Sequence, residues 1–138
     1  MSFQRPAFKD SYQNFIGGEW VAPLDGQYFE DTSPLDGSLI ARVPQSNSRD
    51  IDMAVEAAWK AAADWGKTSP AERSAMLNKI ADRMEENLET LAVIESYDNG
   101  KAIRETMAAD IPLSIDHFRY YASVIRSEAG EVTDLDAG

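Results

Sequence analysis

The spacing of apolar residues along the chain changes near residue 47. Before it, apolar side chains fall in short runs broken by turn residues. After it, they recur every three or four positions. YQNFIGGEWV alternates around Phe15 and Trp20, and Gly17-Gly18 supplies a tight turn, so a hairpin is predicted. QYFEDTSP and SLIARVP form a second extended pair about the turn Pro34-Leu35-Asp36-Gly37, with a further bend at Pro23 and Asp25-Gly26. Asn47 or Ser48 caps a first helix over about 50–65, whose apolar face is Ile51, Val55, Ala58, Ala62 and Trp65. The second start is Ser69-Pro70-Ala71-Glu72, a capping box with proline at the first helical position. Met76, Leu77, Ile80, Ala81 and Met84 carry that helix to about 86. A third, over about 88–98, has Leu88, Leu91, Ala92 and Ile94, and stops at Asn99-Gly100. A short helix over about 101–108 leads to a long one over about 110–128. Ile111, Ile115, Phe118, Ala122 and Ile125 share one side of it, and Gly130 is expected to close it.

The pattern predicts an α+β arrangement, an N-terminal β ribbon followed by four to five helices. The expected divisions are an extension at 1–11, the ribbon at 12–43, helices at 48–130 and an acidic tail at 131–138. The inventory reads as incomplete. A ribbon of a few short strands is marginal alone, and helices with broad apolar faces want a further surface, although they could cover one another.

Composition narrows the partners more than the fold. With 13 Lys and Arg against 24 Asp and Glu, the net charge is −11. That field repels nucleic acid and anionic membranes. No run approaches the 18 or so apolar residues of a membrane span, and the start lacks a signal-peptide core. A cytoplasmic protein is therefore expected. There is no cysteine, which removes disulfides, thiolate metal sites and a cysteine nucleophile from this chain.

Few motifs suggest chemistry. Gly66-Lys67-Thr68 looks like the end of a phosphate-binding loop, but Ala61 stands where that loop needs glycine and a helix precedes it. A helix C-cap is expected instead. Gly17-Gly18 lacks the spacing of a dinucleotide fingerprint. His117 is the only histidine and has no metal-ligand spacing around it, so a surface or half-buried position near Arg119 is expected. Phe118, Tyr120 and Tyr121 are expected in the core. Asp98 is the anomaly, because an acid in a last helical turn faces carbonyls that already carry negative charge. Its carboxylate either accepts hydrogen bonds from Lys101 or the turn amides, or helps hold a hard cation.

Taken in order, NFIGGEWV, SPLDGSLIARVP, DIDMAVEAAWKAAADW, SPAERSAMLNKIADRMEENLETLAVIESYDNGK and DHFRYYAS resemble the aldehyde dehydrogenase superfamily. The likeness runs from about Asn14 to Gly130. Within it, GKAIRETMAADIPLSIDHFRYYA is most similar to bacterial members acting on short aliphatic aldehydes such as acetaldehyde. The resemblance implies a part of the α/β cofactor-binding domain of an NAD- or NADP-dependent enzyme. Such enzymes use a catalytic cysteine, a glutamate base and an oxyanion-binding asparagine. In the family those groups, the cofactor-phosphate segment and the oligomerising strand all follow the stretch matched here. The chain is thus expected to be inert alone, with no catalytic or cofactor-binding residue of its own. It would partner the remainder of a homodimeric or homotetrameric dehydrogenase. The resemblance also implies a Na or K ion held by the Asp98 carboxylate and the Thr32 main-chain carbonyl, with a further carbonyl from the cofactor domain. Weak or no occupancy is expected without that third contributor. A stand-alone helical interaction module is the alternative reading.

Overall fold

A computed structural model of the chain describes residues 5–128 and Gly130. The predicted acidic tail at 131–138 and the first four residues of the extension lie outside the described residues. Two separate antiparallel pairs make the ribbon. β1 (Asn14–Ile16) pairs with β2 (Glu19–Val21), and β3 (Tyr28–Thr32) pairs with β4 (Leu39–Pro44). Gly17 and Gly18 both take positive φ, as a two-residue turn matched to strand twist requires. Phe15 therefore lies opposite Trp20, with ring centroids 5.0 Å apart. Between β3 and β4 the register slips at Asp31/Thr32, so that Ile40 is the extra residue of a bulge. Ile40 and its neighbour Ala41 are both buried.

The extension is tied to this second pair. The Tyr12 N–H donates to the Arg42 carbonyl at 2.9 Å and the Arg42 N–H to the Asp10 carbonyl at 3.0 Å, with Ser11 bridging Arg42 in parallel. Phe8 packs edge-on against Tyr97, with the Arg5 guanidinium beside both rings.

The helices are α1 (Ser48–Trp65), α2 (Pro70–Glu86), α3 (Leu88–Asn99), α4 (Ile103–Glu105) and α5 (Ile111–Ser127). Asn47 is the cap of α1, and the reason is Asp50. The Asn47 side chain accepts the Arg49 N–H at 2.9 Å, while Asp50 accepts the Asn47 N–H at 2.8 Å. The Ser69–Glu72 box at α2 forms as its sequence predicts. α4 and α5 are joined by a π-helical turn, Thr106–Asp110. Its cause is in the sequence. Pro112 has no N–H to give Ala108, and its ring would crowd that carbonyl in a regular helix, so the widened turn absorbs the misfit. Gly130 does not close α5. The helix ends at Ser127 because Glu128 already has an extended ψ of 120°.

The core lies where α2, α3 and α5 meet. Ala81, Ala92, Ile111 and Ile115 are buried there, with Leu88, Ile103, Met107 and Phe118 packed around them. Ala81 and Ala92 let the helix backbones approach, and the buried Ser74 hydroxyl donates to the Ala122 carbonyl at 2.6 Å, pinning α2 to α5. The predicted α5 face is the one that packs here.

The predicted α1 face does not pack. Ile51, Val55 and Trp65 are exposed, and the buried residue of α1 is the capping Asp50. Tyr120 and Tyr121, expected in the core, are 58% and 59% exposed. Tyr121 flanks Phe118 beside Leu77 of α2, and of the three aromatics only Phe118 reaches the core. No described helix is long and apolar enough to cross a membrane.

Candidate functional site

Asp98 lies in the last turn of α3, and Gly100 closes that helix at φ 78°, a left-handed conformation that glycine takes without strain. The turn after β3 packs against this helix end. Ser33 is buried and donates its Oγ–H to the Tyr97 carbonyl at 2.7 Å, and Pro34 lies against Gly100. Thr32, the last residue of β3, and Asp98, in the last turn of α3, are thus brought to adjoining ends of their elements, and both are exposed.

The groups expected to satisfy Asp98 are engaged elsewhere. Lys101 Nζ pairs with Asp110 at 2.6 Å, which raises the Lys101 pKa, chiefly through that hydrogen bond. The Lys101 amide donates to Asn99 Oδ1 at 2.8 Å, and the Asn99 side-chain amide donates to Glu95 at 2.6 Å. The neighbour of Asp98 is Asp31, a residue that the sequence reading did not single out. Burial raises the Asp31 pKa first, and the charge and hydrogen bonding of the Asp98 carboxylate raise it further. Two acids therefore share the carbonyl-rich end of a helix. The available signal for Asp31 was its position next to Thr32, but the pairing across β3 and α3 is a tertiary fact. No group of three or more His, Cys, Asp or Glu gathers in a metal-binding arrangement among the described residues. An alkali-ion site built on one carboxylate and main-chain carbonyls does not need one.

The remaining motifs resolve structurally. Gly66 caps α1, its N–H bonded to the Ala62 carbonyl at 2.8 Å. The Thr68 hydroxyl turns back to the Trp65 carbonyl at 2.6 Å. No phosphate cradle forms there. His117 is exposed beside Leu77, Phe118 and Tyr121. A larger feature is an apolar groove along α2 and α3, lined by Met76, Ile80, Met84, Thr90 and Leu91, with Lys79 and Arg83 at its margin.

The described residues thus form a ribbon of two hairpins followed by a helical layer with an open apolar groove. The chain belongs to the aldehyde dehydrogenase family, whose family model matches residues 20–138. It is 58% identical over 129 residues to the long-chain-aldehyde dehydrogenase of an Acinetobacter species, covering 94% of this chain and 26% of that protein. It is 55% identical over 130 residues to an aldehyde dehydrogenase of Vibrio cholerae, with the same coverage. A crystal structure of PnpE in complex with nicotinamide adenine dinucleotide superposes with a TM-score of 0.87 at 38% identity, covering 92% of this chain and 26% of that one. The chain spans about a quarter of the length of the relatives it matches.

Proposed function

We propose that this chain is the front portion of an NAD-dependent dehydrogenase that oxidises an aliphatic aldehyde to a carboxylic acid, and that it contributes scaffold rather than catalytic groups. The observation that carries this is identity of 55–58% along 94% of the chain to enzymes of which that stretch is only 26%. The substrate class is left at aliphatic aldehydes. The sequence resembles the acetaldehyde group, while the relative at 58% identity is named for long-chain aldehydes. The nucleophile must come from polypeptide outside these residues, because they include no cysteine. A bound dinucleotide would supply the hydride acceptor, and this chain's helices would support the domain holding it. Gly66 is a helix cap, so the Gly66-Lys67-Thr68 stretch is not a phosphate cradle for a dinucleotide. The groove on α2 and α3 is the surface the rest of the fold would cover, in a homodimeric or homotetrameric enzyme.

Thr32 and Asp98 we read as two contributors to a monovalent-cation site. What supports this is the donor chemistry: a carboxylate, a second carboxyl facing it and the carbonyl end of a helix are all hard oxygen ligands. A cation there would offset the Asp98 charge, which adds to the effect of burial in raising the Asp31 pKa.

The activity test is NADH formation from acetaldehyde. The 138-residue chain alone is expected to give none above a no-enzyme control, and a longer polypeptide carrying it to give a steady rate. NADH production by the 138 residues alone would end the scaffold reading.

A further inference from the structure

The β3–β4 turn and the end of α3 are clasped to each other by two contacts. A helix leaves its last four carbonyls without intrahelical partners. In α3 the Ser96 carbonyl receives the Gly100 N–H at 3.0 Å. The Tyr97 carbonyl would ordinarily await the amide of Lys101, but that amide donates to Asn99. A residue 64 positions away fills the gap. Ser33, 1% exposed, donates to the Tyr97 carbonyl at 2.7 Å and accepts the Leu35 N–H at 3.3 Å. One residue on, the Pro34 ring approaches Gly100 so closely that a β-carbon there would lie 3.0 Å from Pro34 Cγ. Ser33 directly follows Thr32, and Tyr97 directly precedes Asp98. The hydroxyl is thus one residue from each cation contributor.

We propose that Ser33 is a positioning residue for the cation site, its hydroxyl setting the spacing between the Thr32 carbonyl and the Asp98 carboxylate and hence the affinity for Na or K. This rests on the cation reading above. A cation ligand held by a single rotatable carboxylate on a helix end needs its opposing carbonyl fixed, and a buried hydrogen bond between the two backbones supplies that restraint. Outer partners that orient ligands in this way typically change metal affinity by about tenfold or more when removed.

The test uses the longest natural polypeptide that carries this segment. Its thermal midpoint is followed against NaCl or KCl, with choline chloride holding ionic strength constant. The wild-type midpoint is expected to rise with cation and Asp98→Asn to abolish the rise. In Ser33→Ala the half-maximal cation concentration is expected to increase about tenfold or more. A purely structural cap would lower the midpoint equally at every concentration and leave the half-maximal concentration unchanged. That result would overturn the proposal while the cation reading stands. A flat wild-type response overturns the cation reading, and the proposal with it. If Ser33→Ala does not fold, Pro34→Ala decides: it removes the second, exposed contact and should shift the half-maximal concentration the same way, less far. An unchanged value there overturns the proposal.

Discussion

Replacing Gly100 with alanine perturbs two terms that the structure separates. The first is backbone strain, because φ at Gly100 is 78°, and an L-residue there costs roughly 1–2 kcal/mol. The second is steric. The new methyl would meet Pro34 Cγ at 3.0 Å and Cβ at 3.5 Å, so the β3–β4 turn must yield by a few tenths of an ångström. Overpacking of this kind costs about 1–3 kcal/mol in a closed core. Pro34 is exposed and can retreat, which places the contact near the lower end, about 1 kcal/mol. The expected total is about 2–3 kcal/mol, a large share of the roughly 5–15 kcal/mol that stabilises an ordinary domain. Gly26 supplies the control, since its φ is 63° but nothing lies within 4 Å of its would-be β-carbon. Gly26→Ala therefore reports strain alone. Urea denaturation of both variants, in the longest polypeptide carrying the segment, should show Gly100→Ala destabilised by about 1 kcal/mol more than Gly26→Ala. Adding Pro34→Ala should recover most of that excess in a double-mutant cycle. Equal losses in the two glycine variants, or no recovery on removing the proline ring, would refute the close approach of the two turns.

Two further changes probe buried polar groups. Asp50 has its pKa lowered by hydrogen bonds from the Asn47 and Leu24 amides, in that order of effect. A depressed carboxylate contributes stability above its unfolded value, near 3.9, and loses it as pH falls through the lower folded value. Asp50→Asn should be less stable at neutral pH and should lack that component of acid destabilisation. Denaturation curves that stay parallel for the two proteins below about pH 4 would contradict it. Thr106→Val keeps the shape of a side chain that is fully buried but removes a hydroxyl bonded to the Ala92 and Ile103 carbonyls at 2.9 and 3.1 Å and to the Ser96 hydroxyl at 3.1 Å. A loss of about 1–2 kcal/mol is expected by chemical denaturation, and a neutral result would mean that the hydroxyl pair is not a net contributor.

What the sequence determined alone is the set of features whose causes lie within a few residues. The Ser69–Glu72 box, the paired glycines at 17 and 18 and the left-handed Gly100 are each fixed by local backbone chemistry, and so could be read before any fold was known. Helix periods are equally local, which is why the α5 face was legible. The family was legible too, through the order of its segments rather than any one motif. Which apolar face meets a partner is a different kind of fact. Ile51, Val55 and Trp65 repeat as regularly as Ile111, Ile115 and Ala122 do, yet the first set is exposed and the second packs into or against the core. Periodicity records that a face can be buried, and only neighbouring elements decide whether it is, as the exposed Tyr120 and Tyr121 also show. The candidate site divides in the same way. Asp98 stood out because an acid at a helix end conflicts with local electrostatics. Its companion Asp31 and the Ser33 clasp come from a strand and a turn more than sixty residues earlier. Their relation to Asp98 exists only once the β3–β4 turn is folded onto the end of α3, because no local propensity encodes a contact across that length of chain.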